Sequence, residues 1–169
     1  MNKIILSSTL ILFLWGILFS SFAQLSQGGM PKSFNYEDDQ VLSKLQFIEM
    51  PFVDVEKLKA EDIIFDEYKD IPWRFGKNIE VSINLKYEGA IDKISNIGYI
   101  WRVGIYSPGA LSINLLFDKY YIPENGELFI YSNDNKEIIG AFTDFNNHKE
   151  SIFATTLLRR VRDRLLPVS

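Results

Sequence analysis

Gly98-Tyr99-Ile100-Trp101-Arg102-Val103-Gly104-Ile105-Tyr106-Ser107-Pro108-Gly109-Ala110-Leu111-Ser112-Ile113-Asn114-Leu115 is the stretch on which the fold class turns. Gly98 to Ser107 is rich in Tyr, Ile, Trp and Val, side chains that suit a pleated, half-buried surface. Ser107-Pro108-Gly109-Ala110 carries turn chemistry. After it, Leu111, Ile113 and Leu115 alternate with Ser112 and Asn114, the period of a strand with one buried face.

The same grammar continues on both sides. Upstream, Ile79, Val81, Ile83 and Leu85 alternate with Glu80, Ser82 and Asn84, which predicts a strand from Asn78 onward. Downstream, Pro123-Glu124-Asn125-Gly126 is a turn in which Asn and Gly tolerate positive φ. Leu128 to Tyr131 then reads as a strand, Asn133-Asp134-Asn135-Lys136 as a polar hairpin connection, and Ile138 to Phe142 as the next strand. Short strands at intervals of roughly ten residues predict an all-β fold, a sandwich or a barrel, and the expectation taken forward is an antiparallel, jelly-roll-like β-sandwich. Ile83, Trp101, Ile113, Leu115 and Ile130 are the expected buried set.

The N-terminus has a different logic. Lys3 precedes an apolar run from Ile4 to Phe19, and Ser21-Phe22-Ala23 sets small residues at −3 and −1 of a cut before Gln24. This predicts a cleaved signal peptide over residues 1–23 and a secreted protein, periplasmic or extracellular. A membrane anchor would need about 20 apolar residues, and no basic stop-transfer cluster follows. No later segment reads as a membrane span. Cleavage leaves 146 of the 169 residues, room for one domain with a real core, and takes the formal charge from −4 to −5. That acidic balance argues against nucleic acid as a partner. The chain has no cysteine, which excludes thiol nucleophiles, Cys-ligated zinc and thiolate-ligated iron–sulfur clusters.

Residues 24–75 read as an extended lead-in. Its Gly- and Ser-containing start, Gln24 to Gln40, is expected to be poorly ordered, and Met50-Pro51-Phe52-Val53 to lie extended on the surface. Asp54 is a candidate cap for a turn or two of helix over Val55 to Asp62. Residues 76–156 are expected to form the sandwich. Residues 157–169 break the compositional pattern: Arg159, Arg160, Arg162 and Arg164 are four of six arginines, while Lys, Asn and Ile are missing from Phe153 to Ser169. Two readings compete for this tail. It is either a basic amphipathic helix presenting Leu157, Val161 and Leu165, or out-of-frame sequence with no packed contacts.

Several stretches fall into one ordered profile. They are Gly28-Gly29-Met30-Pro31-Lys32-Ser33-Phe34, Met50-Pro51-Phe52-Val53-Asp54-Val55, Ala60-Glu61-Asp62, Trp73-Arg74-Phe75-Gly76, Ile100-Trp101-Arg102-Val103, Ser107 to Leu115, and Leu128 to Ser132 through Gly140-Ala141-Phe142-Thr143. Together they resemble the N-terminal region of secreted, lysyl-endopeptidase-like serine peptidases of Gram-negative bacteria. The likeness spans about residues 24–156. It implies a noncatalytic, prodomain-like region whose natural partner is a trypsin-like protease domain. In that family the protease domain follows, and some members add a C-terminal sorting domain. The departure after Thr156 implies that the catalytic domain is missing here.

The chemistry is sparse. His148 is the only histidine, and only Asp163 and Ser169 follow it in trypsin-like order, too close together to build a cleft. It reads as a solvated loop residue, so no catalytic residue is assigned. Glu61, Asp62, Asp66, Glu67 and Asp70 form an acidic run without a glycine to set a calcium loop, and Asn133-Asp134-Asn135 reads as a turn; no metal site or cofactor is expected. Trp73, Tyr99 and Trp101 could stack on sugar rings if they shared an exposed face, which leaves a glycan- or surface-protein-binding β-sandwich as the alternative function. Arg102, on the face opposite Trp101, is expected to find an acidic neighbour or guide a partner.

Overall fold

The computed structural model describes residues 26–36, 42–68, 72–84, 87–95, 97–159 and the backbone of 166–168; the expected signal peptide lies outside them. The elements in chain order are β1 (Phe47–Glu49), α1 (Val55–Phe65), β2 (Ala90–Ile94), β3 (Gly98–Tyr106), β4 (Ser112–Ile113), β5 (Leu116–Phe117), β6 (Leu128–Tyr131), β7 (Ile138–Phe142), β8 (Phe153–Ala154), β9 (Leu158–Arg159) and β10 (Leu166–Val168). Strands predominate. Among the described residues no helix is long and apolar enough to cross a membrane.

β3 organises the molecule. It lies in a six-stranded sheet of order β1-β3-β10-β6-β7, and it also pairs with β2, from Ile94 opposite Gly98 to Ala90 opposite Arg102. Only β1 runs parallel to it. Arg102 to Ile105 are all buried because both faces of this part of β3 are covered, so burial does not alternate along it. Val103 and Ile105 face the main core. On the other side Phe47 lies against Gly104, where a Cβ would collide with its ring. The turn after β3 needs Gly109 at φ +83°, and a Cβ there would strike the Val53 carbonyl. Met50 N and Val53 N donate to Tyr106 O and Pro108 O, which pins the Met50–Val53 segment to this end of β3.

The four short strands make one interrupted ladder. Ser112 pairs with Arg159 and Ile113 with Leu158, then Leu116 pairs with Ala154 and Phe117 with Phe153. Two residues lie between these pairs on one side and three on the other, the signature of a bulge. Thr155 bridges it: its N donates to Leu115 O at 2.9 Å, and its Oγ1 accepts from Leu115 N at 2.9 Å. Phe153 and Leu158 from this ladder share one core with Met50, Val103, Ile105, Leu128, Ile130 and Phe142. Tyr120 stacks on Phe153 at 4.3 Å, and burial pushes its phenol pKa up to about 12. The small ladders stay separate from the six-stranded sheet, so the described residues are mostly strand, with one α-helix among them.

Several expectations need correction. Residues 78–84 form no strand, although Ile79 and Ile83 still pack on the core while Val81 is exposed; Leu85 lies outside the described residues. The single strand expected around Leu111, Ile113 and Leu115 is split by the bulge into β4 and β5, with Leu111 exposed. Of the five expected core residues only Ile130 is fully buried; Ile83, Trp101, Ile113 and Leu115 pack against its cluster partly exposed. The described start of the lead-in is tied down. Gln27 N and Gly28 N donate to Ala141 O and Gly140 O, and Ala141 N donates back to Gly28 O, so residues 27–28 extend the β7 edge. Phe34 then meets Tyr131 edge-on at 4.8 Å and covers a second cluster of Phe129, Tyr131 and Ala141.

The described residues of the tail are extended. Leu158 is only 2% exposed within the core, Leu158–Arg159 is extended and paired, and β10 pairs with β3 and β6. Packed contacts therefore exist. Leu157 is exposed, so a helix burying it is not formed there, and Val161 and Leu165 lie outside the described residues.

Candidate functional site

One part of the chain is apolar and uncovered. Asp54 starts α1 as expected: its Oδ1 accepts from Lys57 N at 3.0 Å, satisfying a free amide of the first turn. The helix runs past Asp62 to Phe65, and none of its eleven side chains is buried. The sequence explains this. Val55 and Leu58 lie on one side, but Ile63, Ile64 and Phe65 are consecutive and span 200° of arc on an α-helix, so no single core can cover them.

The C-terminal half of α1 is electrostatically awkward, with Glu61 and Asp62 near its negative end and no basic residue in its last turn. Arg74 answers both. Its Nε donates to Asp62 Oδ1 at 2.8 Å, Nη1 to Glu61 Oε2 at 3.0 Å and Nη2 to Leu58 O at 3.3 Å. The hydrogen bonds to Asp62 and then Glu61 raise the guanidinium pKa further. This clamp folds Pro72–Gly76 back along the helix and leaves a cleft of 370 Å3 lined by Asp62, Phe65, Asp66, Pro72, Trp73 and Arg74. Around it Trp73, Phe75 and Ile63 are 86%, 85% and 70% exposed. Chemically the arm offers aromatic and aliphatic area with carboxylates beside it, the composition of a contact surface.

A second, smaller face lies on the β2–β3 hairpin. Trp101 and Tyr99 stand opposite Ile91 and Lys93, and directly paired residues share a face. Tyr99 is 71% exposed, with the Lys93 ammonium 5.9 Å from its ring centroid. Trp101 is half-buried, its Nε1 donating to Glu88 O at 2.7 Å. The structure thus brings Tyr99 and Trp101 together, while Trp73 belongs to the arm. On the opposite face Arg102 finds its acid: Nη2 donates to Ser43 O at 2.6 Å and lies 3.5 Å from Asp92 Oδ2.

His148 sits in an exposed loop after the 3-10 turn Asp144–Asn146, and its carbonyl accepts from Ser151 N. Asp163 and Ser169 lie outside the described residues. Of the acidic run, Glu61 and Asp62 bind Arg74, and Asp70 also lies outside. Asp134 accepts from Ser132 Oγ at 2.6 Å and closes the β6–β7 turn. Among the described residues no group of three or more His, Asp or Glu is placed to hold a metal ion. The apolar arm was not singled out in the sequence, though the failure of Val55–Phe65 to form an apolar stripe was its visible signal.

No family model matches the chain, and no solved structure matches it.

Proposed function

We propose that this chain carries the noncatalytic, prodomain-like N-terminal region of a secreted serine peptidase of lysyl-endopeptidase-like type, a jelly-roll-like β-sandwich whose partner is a trypsin-like protease domain. The observation that carries the reading is the uncovered arm, where Ile63, Ile64, Phe65, Trp73 and Phe75 present apolar area that the fold itself does not use. A surface of this kind on an exported protein is what a second folded domain would cover. The core shared between the six-stranded sheet and the β4–β9 and β5–β8 ladders supports the sandwich, and Lys3 to Ala23 supports export.

The test is direct. The chain from Gln24 onward is titrated into a lysine-specific, trypsin-fold catalytic domain while hydrolysis of a lysyl peptide is followed and binding is measured by calorimetry. A saturable complex is expected, weakened at least tenfold, about 1.4 kcal/mol, by Trp73→Ala with Phe75→Ala. The chain alone should not hydrolyse the substrate. Absence of binding, or turnover by the chain itself that disappears in His148→Ala, would overturn the reading.

A second reading rests on the hairpin face, where exposed Tyr99 and half-buried Trp101 could stack on a sugar ring. Glycan-array binding lost in Tyr99→Ala and retained in Trp73→Ala would favour it over the first.

A further inference from the structure

β3 and β6 form no ladder with each other; the three residues of β10 stand between them. Leu166, Pro167 and Val168 pair antiparallel with Ile105, Gly104 and Val103, and on the other edge Val168 pairs with Ile130. The floor of this gap is the centre of the molecule, since Val103 and Ile130 are among its most deeply buried residues. An empty gap would leave two strand edges open over the core, so a strand is required there.

The strand that fills it is a weak occupant. It has three residues and a single register pair on the β6 side. Its middle residue is proline, which has no N–H to give to a ladder and is normally confined to sheet edges. Pro167 takes one donor out of the ladder at the middle of β10, and release of so short a strand needs only local opening. Any second copy offers the same segment, with the same register and the same partners, to the vacated gap. Exchange of an identical element costs no new complementarity.

We propose that the gap between β3 and β6 is a strand-acceptor slot, and that it takes residues 166–168 of a second copy in place of its own, giving a strand-swapped dimer. The inference is independent of the peptidase reading. Cis occupancy is favoured by the tether from Arg159, which acts as a high local concentration, so the dimer accumulates as protein concentration rises.

Because the chain has no cysteine, introduced thiols report without background. Chains carrying only Val103→Cys are mixed with chains carrying only Val168→Cys at high concentration and oxidised. These two thiols can meet only when the strand of one copy lies in the slot of the other. A covalent heterodimer whose disulfide maps to positions 103 and 168 is expected. Val103→Cys with Val168→Cys on one chain serves as the cis reference. Closure of the reference without any heterodimer would show a slot filled only in cis, and closure of neither would show that the segment does not seat; both outcomes overturn the proposal. If a cysteine variant fails to fold, unmodified chains settle the matter. Isotope-labelled and unlabelled protein from Gln24 onward, incubated together, should give mixed dimers in native mass spectrometry, and an excess of a synthetic peptide of residues 160–169 should abolish them. Absence of mixed dimers, or dimers indifferent to the peptide, would refute the idea.

Discussion

Arg102 and Asp92 form the most consequential buried polar contact. Asp92 Oδ1 accepts from Ser43 N at 2.9 Å and Ser43 Oγ at 2.5 Å, while Arg102 approaches the other oxygen. Burial works against ionisation of this carboxyl, but the Ser43 hydrogen bonds and the Arg102 charge outweigh it and hold its pKa below the ordinary 3.8. A carboxyl depressed in the folded state stabilises the fold fully above its unfolded pKa. That stability is lost as pH falls through the folded value, so the window lies at and below about pH 4. Urea midpoints measured from pH 6 to pH 2 should fall in this window for the native chain, and fall less for Asp92→Asn. Asp92→Ala should cost on the order of 3 kcal/mol at neutral pH, because Arg102 is then buried without its counter-charge; an unchanged midpoint would show the pair to be incidental. The sequence left Arg102 two roles, pairing with an acidic neighbour or guiding a partner, and the structure shows the first. Asp92 was not legible as that neighbour, because Ala90-Ile91-Asp92-Lys93-Ile94 is too short and too polar to announce a strand.

The elements divide into those whose side chains the core consumes and those it leaves free. β6 buries all four residues, Leu128 and Ile130 into one cluster and Phe129 and Tyr131 into the other. β9 buries Leu158, whereas α1 buries nothing. Leu158→Ala should therefore cost about 2–5 kcal/mol and lower the melting temperature by roughly 2–4 °C for each kcal/mol. Ile64→Gln, an equally drastic change of polarity, should stay within about 0.5 kcal/mol. Thermal melts of the two variants read this contrast; equal losses would mean that α1 is docked in solution. The tail illustrates how a distant partner places a residue. Its arginine content set it apart from the rest of the chain, yet Leu158 is placed by β4 through the bulged ladder, a partner more than forty residues away.

At the scale of the whole molecule, the chain closes on itself through segments distant in sequence. Residues 27–28 join β7, β1 joins β3, β9 joins β4, and β10 enters the central sheet. The main core draws on β3, β6, β7, β8 and β9 together, so unfolding should be a single transition, with tryptophan fluorescence and far-ultraviolet circular dichroism giving one midpoint. Separated midpoints would indicate that the lead-in or the tail melts independently. Non-local pairing of this kind also places refolding in the range of about milliseconds to seconds.

What the sequence by itself determined is the set of local signals: β3, β6 and β7 with their turns at Pro108-Gly109, Asn125-Gly126 and Asn133–Lys136, and the Asp54 cap of α1. Each is written in neighbouring residues, through two-residue periodicity, positive-φ turn chemistry or a side chain reaching a nearby amide. Only the tertiary structure decided which apolar stretches found partners. Residues 78–84 carry a strand's alternation and form no strand, whereas Ala90–Ile94, Leu158–Arg159 and Leu166–Val168 carry weak signals and are paired. A ladder needs a second edge at the right register, and that edge lies elsewhere in the chain.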